Sequence, residues 1–297
     1  MDSVSLRGLT ESKASMGYRS WYYDFVELPR LFDEDSIQRV GSSLSTRYAG
    51  LTRAWTPELN SEWAVRHYFA AKLIMAATIA LNSLEFAEGH NLRLVAPYLR
   101  YYAVLYALRA VVLTIPESQW NDGALLQISH ATAINSGANH VCSFDRAVGK
   151  QLELDVRRLK AERELISYRA PSEGDWNTLA ESERAIEMCR LLAEIAQFDS
   201  ELLEASVDKK ADASMFVLQA SVLEPVRTVE IDGMVFKDYE DAYRLDYLSR
   251  KHPWPANLRH TITEGHVDDF FGAWLSDSDE PGMFNPDESI RLIFSWV

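Results

Sequence analysis

Between Asn60 and Asn91 the chain reads "NSEWAVRHYFAAKLIMAATIALNSLEFAEGHN", and no other run constrains the fold as strongly. It is made of good helix formers, opens with a cap candidate in Asn60 or Ser61, carries Glu62 in its first turn and meets no glycine or proline before Gly89. Its middle, "YFAAKLIMAATIALNSLEFA", is interrupted by Lys72 and Asn82, which leaves too few uninterrupted apolar residues to span a bilayer. The run therefore predicts a long helix buried inside a protein, and burying it calls for further helices.

Those helices are legible downstream. "APYLRYYAVLYALRAVVLTI" has Pro97 in its first turn and Pro116 just past its end, which marks a second helix. A third, shorter one is expected over about Asp122 to Ser136, stopped by Gly137. Asp145 is the expected N-cap of a long fourth helix through Tyr168, which Pro171 closes. In "WNTLAESERAIEMCRLLAEIAQFDSELLEAS" the apolar residues Leu179, Ala185, Ile186, Met188, Leu191, Leu192, Ile195, Ala196 and Phe198 fall on one amphipathic face. Residues 60–206 thus read as an antiparallel helical bundle.

The flanks differ in character. Residues 1–59 form an extension holding Tyr18, Trp21, Tyr22, Tyr23 and Phe25; so much aromatic surface favours docking over disorder, with helix expected near Asp35 to Ser45. Residues 207–297 read as a small α+β module. Apolar and β-branched residues flank Asp232-Gly233, the signature of a two-residue hairpin turn whose positions need positive φ, and a helix follows from about Tyr239 to Lys251. From Glu264 to Glu288 the tail holds eight carboxylates and no Lys or Arg. The fold class expected is mainly α.

Composition removes several functions. With 44 acidic against 30 basic residues the formal charge is −14, so the chain repels polyanions and does not coat DNA. The two cysteines, Cys142 and Cys189, build no disulfide framework, and no leader or membrane segment is read, so a reducing cytoplasm is expected. The cluster Glu264, His266, Asp268 and Asp269 offers metal-ligand types at a spacing that matches no established metal loop, so it reads as an acidic surface strip. Phosphate loops, nucleophile elbows, HExxH and paired CxxC are absent, and no metal or other cofactor is expected.

Four segments, in order, resemble a known family. "LRYYAVLYALRAVVL" (Leu99 to Leu113) is similar to the second-helix signature of HEPN-domain proteins, "ISHATAINS" around His130 to their third helix, and "SFDRAVGKQLELDVRRLKAERELISY" to their long fourth helix. The resemblance covers about residues 60–206. It implies a bundle of four or five helices that commonly dimerises with the ends of two fourth helices facing each other. Many members are metal-independent RNases of toxin–antitoxin or antiphage systems; others are non-catalytic partners of nucleotidyltransferases. Catalytic members carry an Arg four to six residues before a His. That Arg maps onto Arg163, but Tyr168 stands where the family's His would fall, with Ser167 before it.

The replacement bears on chemistry, because attack by a ribose 2′-hydroxyl needs a group that exchanges a proton near pH 7, and a phenol of pKa about 10 does so poorly. The candidate catalytic residues are Arg163, Tyr168 and, as a substitute proton carrier, His130; the candidate RNA- or phosphate-binding residues are Arg157, Arg158 and Arg169. Each has a structural reading beside it. Arg163 pairs with Glu162, Glu164 or a partner's carboxylate, Tyr168 packs at the bundle end, and Arg157 and Arg158, with Lys150 and Lys160, belong to an ion-paired face shared with Glu153, Asp155, Glu162 and Glu164. His130 is a satisfied structural residue, and Arg109 is a buried arginine paired with an acid. On helical geometry, Arg163 and Tyr168 lie about 140° apart around the axis, so they share no narrow stripe.

Two functions follow from the resemblance. The first is a partner-dependent interaction or regulatory subunit of a prokaryotic defence or toxin–antitoxin-like assembly, binding a protein encoded nearby or a second copy of itself. The alternative is a metal-independent endoribonuclease toxin acting on RNA. The acidic tail as a nucleic-acid mimic that occupies a basic partner is a third reading.

Overall fold

Local capping chemistry sets where most of the helices begin. In the computed structural model, which describes residues 25–176, 178, 181–276, 280 and 282–286, the chain is mainly α. The described residues form α1 (Glu27–Leu31), α2 (Glu34–Thr52), α3 (Pro57–Gly89), α4 (Ala96–Thr114), α5 (His130–Phe144), α6 (Arg146–Arg169), α7 (Ser182–Lys210) and α8 (Ala220–Arg227). The strands β1 (Thr228–Ile231) and β2 (Met234–Lys237) follow, then α9 (Tyr239–Lys251), α10 (Leu258–Thr261) and α11 (Glu264–Gly272). Short 3-10 turns occupy Ala124–Gln127 and Ala213–Met215. Asp33, Asp145, Asp238, Asn257 and Thr263 each accept a hydrogen bond from a first-turn amide of the helix that follows.

The expected hairpin forms as an antiparallel pair, with Asp232 at φ 51° and Gly233 at φ 77° in its turn. The helix expected from Tyr239 to Lys251 is present with those limits. Four sequence expectations are corrected. First, α3 starts at Pro57, because a proline at the first helical position gives up an amide that lacks a partner anyway, and Thr56 Oγ1 accepts from the Leu59 amide at 3.2 Å. Asn60 and Ser61 are buried one turn inside, where both donate to the Val217 carbonyl.

Second, the third helix is shifted. Ala124–Gln127 is a 3-10 turn and α5 runs from His130 to Phe144, through Gly137. Gly137 is not a stop here: a Cβ on it would lie 2.5 Å from Leu108 Cδ2, so glycine lets α5 approach α4 closely. Third, helix in the N-terminal extension is longer than Asp35 to Ser45, continuing to Thr52. The tail also contains the short helix α11 where only an acidic strip was read. Tyr18, Trp21, Tyr22, Tyr23 and Leu179 lie outside the described residues.

The chain gathers into two compact units, each drawn from three stretches of sequence. Unit one takes the described residues up to Ala71, with Val112–Ser129 and Glu194–Ile262; unit two takes Lys72–Val111, His130–Ala193 and the described residues from Thr263 onward. Helices α3, α4 and α7 contribute residues to both.

Unit one has a core of Leu28, Leu44, Tyr48, Trp63, Tyr68, Phe198, Leu203, Leu245 and Leu258, threaded by buried polar groups. Arg66 is 1% exposed, and its guanidinium donates to the carbonyls of Leu113 (2.7 Å), Ile115 (2.6 Å) and Ser118 (3.1 Å) and to Glu62 (3.0 Å). It thereby satisfies carbonyls freed at the C-terminus of α4 and places a cation at that end of the helix dipole. At the opposite kind of terminus, the Glu194 carboxylate accepts from the amides of Val26 (2.9 Å), Glu27 (2.7 Å) and Leu28 (2.9 Å), where α1 begins. Burial pushes its pKa up to about 7 in spite of those bonds.

Unit two packs Ile74, Leu81, Tyr101, Val104, Leu108, Ile134, Val141, Phe144, Leu152, Val156, Leu159 and Leu192. Here α5 and α6 meet through Gly149, where a Cβ would lie 2.5 Å from the Cys142 backbone nitrogen. Helix α3 is long and apolar enough to cross a membrane, yet 67% of its most apolar window is buried within the protein. It behaves as a core helix.

Candidate functional site

Within unit two, α4, α5 and α6 bring Tyr101, Tyr102, His130 and Arg163 together. Tyr101 lies on the buried side of α4, among the apolar residues that pack the unit, so its hydroxyl needs a partner inside. That partner is His130, the first residue of α5, whose Nδ1 lies 2.9 Å from the Tyr101 hydroxyl. The Tyr102 ring stands edge-on to the imidazole, with ring centres 6.0 Å apart.

Arg163, on the last turns of α6, lays its guanidinium carbon 5.2 Å from the Tyr101 ring centre and 6.0 Å from that of Tyr102. Its nearest carboxylate is Glu164, at 3.6 Å, which Lys160 also approaches at 3.5 Å. The Arg163 side chain is only 11% exposed, and its Nε has no hydrogen-bond partner among the described residues. The guanidinium also interacts with the Tyr101 hydroxyl, and its unpaired Nε keeps a donor for an anion.

The electrostatics of the cluster act on His130. Burial comes first, then the positive charges of Arg163, Arg109 and Lys160; together they hold its pKa below the ordinary imidazole range, with Glu164 opposing. A neutral imidazole at pH 7 can accept a proton. Burial raises the Tyr101 hydroxyl's pKa, which keeps that group neutral; in the tautomer where His130 Nδ1–H donates to the Tyr101 oxygen, Nε2 is the nitrogen that can take a proton. An arginine poised for negative charge beside an unprotonated histidine is an arrangement suited to acid–base work on a phosphate ester.

The other sequence candidates are placed elsewhere. Tyr168 is 75% exposed, whereas the Arg163 side chain is 11% exposed, and no hydrogen bond joins the two among the described residues. Arg157 is tied to Glu153 and Asn135, each at 2.9 Å, and Lys150 to Glu153 at 2.7 Å, which makes this part of α6 an ion-paired face. Arg158 and Arg169 are exposed. Arg109 is half-buried near Tyr106, and burial pulls its pKa down. His266 is buried, and no group of three or more His, Cys, Asp or Glu able to hold a metal ion occurs among the described residues.

Sequence reasoning named Arg163 and His130 but not the tyrosines that join them. The available signal was the adjacent phenols Tyr101 and Tyr102, two of four tyrosines in a mostly apolar helix, which must find polar or cationic partners.

A second feature lies at the adjoining end of this unit. Arg93, in the loop before α4, pairs with Asp175 in the loop after α6, and Ser167 Oγ donates to the Tyr98 hydroxyl at 3.0 Å. These contacts tie together a surface that exposes Leu92 (51%), Leu94 (69%), Tyr168 (75%) and Trp176 (80%).

Comparison of the chain with protein-family models, with curated proteins and with solved structures finds no match.

Proposed function

We propose that this protein is a partner-dependent interaction subunit, built on a HEPN-like bundle with a degenerate RNase motif, in a prokaryotic defence or toxin–antitoxin-like assembly. The observation that carries this reading is in unit two, where the exposed Leu92, Leu94, Tyr168 and Trp176 flank the Arg93–Asp175 and Ser167–Tyr98 contacts. Large side chains held in water at one place mark a binding surface, since their burial is available only to a partner. The exposure of Tyr168, at the position where the resemblance would put a histidine, supports a partner contact over proton transfer.

The test is co-expression with the product of the adjacent gene, followed by purification and mass measurement of the assembly. A one-to-one or higher complex is expected, and the double substitution Tyr168→Ser with Trp176→Ser should abolish it while leaving the far-ultraviolet circular dichroism unchanged. Metal-independent RNA cleavage by the pure protein, lost in Arg163→Ala, would overturn it.

That outcome would favour the second reading, an endoribonuclease toxin acting in a cytoplasmic setting, which the Tyr101–His130–Arg163 geometry supports. In it His130 takes the 2′-hydroxyl proton and Arg163 stabilises charge building on the phosphate. Cleavage in excess chelator should then fall with either Arg163→Ala or His130→Ala, persist in Tyr168→Phe, and rise with pH through a value below the usual imidazole range.

A further inference from the structure

The β1–β2 hairpin of unit one is amphipathic, and its apolar face is turned to solvent. Cross-strand partners lie on the same face of a sheet, as do alternate residues along a strand. With Val229 opposite Phe236 and Ile231 opposite Met234, those four residues form one wholly apolar face. Thr228, Glu230, Val235 and Lys237 form the other. Yet Ile231 is 53% exposed, Met234 58% and Phe236 49%. A lone hairpin has marginal stability, and one that holds its apolar face in water is short of a covering layer.

The backbone is open as well. This is the only sheet among the described residues, and it has two strands. Counting from the two-residue turn, the hydrogen-bonded pairs are Ile231 with Met234 and Val229 with Phe236, and the Asp238 amide donating to the Arg227 carbonyl at 2.9 Å continues that alternation. Val235 and Lys237 therefore turn their N–H and C=O groups outward along the free edge of β2.

Charge selects the occupant. Glu230, Asp232, Asp238 and Glu240 are exposed around the hairpin against the single exposed Lys237. A second copy would bring the same acidic rim and another formal charge of −14. We propose that the outer edge of β2 is a strand-addition site for an extended segment of a different protein, apolar at alternate residues and flanked by lysine or arginine. The segment bonds to the backbone of Val235 and Lys237, and its apolar side chains extend the Met234–Phe236 face. This site lies in the other unit from the Tyr168–Trp176 surface and stands or falls separately from it.

The experiment uses the full chain and a dye-labelled peptide of alternating valine and threonine, capped at both ends with lysines, followed by fluorescence anisotropy. Val235→Pro removes an outward amide while sparing the apolar face and the bonds between β1 and β2. Met234→Ser with Phe236→Ser removes the apolar face, and circular dichroism checks that each variant stays folded. Binding by the wild-type chain is expected, weakened about tenfold or more in either variant and for a peptide capped with glutamates. Failure of the lysine-capped peptide to bind, or equal binding by Val235→Pro, overturns the proposal. So does a wild-type dimer in light scattering that Val235→Pro dissolves, since that result gives the edge to a second copy.

Discussion

Two arginines, Arg66 buried in unit one and Arg163 largely buried in unit two, show how differently the same side chain can be employed. Arg66 sits 3.6 Å over the Trp63 ring, and its donors are taken by three carbonyls and Glu62. Arg163 sits 5.2 Å from the Tyr101 ring centre, with Glu164 only at 3.6 Å and its Nε without a partner among the described residues. Arg66 is committed to holding a helix end. Arg163 keeps bonding capacity in reserve, so the difference in satisfied donors, more than burial, separates a structural arginine from a candidate functional one.

The largest expected effect breaks the comparison directly. Arg66→Met removes the charged donor shared by three carbonyls and Glu62 and should cost about 3–5 kcal/mol in urea unfolding, whereas Arg163→Met should cost less than about 1 kcal/mol and be read in binding or cleavage instead. Equal losses would mean the two arginines do the same work.

Next comes pH. The folded-state pKa of Glu194, about 7, lies above its unfolded value of 4.5, so the native state holds this proton more tightly. The stability this group contributes is full below the unfolded pKa and is lost as pH rises through the folded one. The difference in unfolding free energy between wild type and Glu194→Gln, followed across that window, should change by roughly 3 kcal/mol against the wild type as pH rises. A flat difference would show that the carboxylate is already ionised throughout.

Glycine substitutions give the smallest effects and contrast the units by packing. Gly149→Ala in unit two drives a methyl into the Cys142 backbone and should destabilise by about 1–3 kcal/mol. Gly50→Ala in unit one meets nothing within 4 Å and should stabilise α2 by about 0.5–1 kcal/mol, visible as a raised urea midpoint.

What the sequence revealed was local. The hairpin, α9, the Asp145 cap and the limits of α4 are encoded by neighbouring residues, and the periodic apolar face of α7 is legible in the same way. Gly137 misled and Pro57 went unread because their effects depend on context: a glycine stops a helix unless a neighbouring helix needs the space, as Leu108 does, and a proline ends one helix or begins another. The Arg66 and Glu194 networks join residues 47 and 166 or more positions apart, beyond any window of periodicity. In the candidate site, Arg163 and His130 were readable as residue types, while Tyr101 between them and the exposure of Tyr168 required the packing of α4 against α6.

The discontinuous make-up of the units bears on how the chain is made. Unit one draws on sequence before Ala71 and again as far as Ile262, so its interior stays incomplete on the ribosome until most of the protein has emerged. No single cut yields either unit whole, and fragments ending in α5 or α6 would carry α3 and α4 without the part of α7 that completes unit one. Synthesis thus passes through a long interval in which apolar helix surface has no intramolecular cover, and this protein should depend on chaperones more than its length suggests.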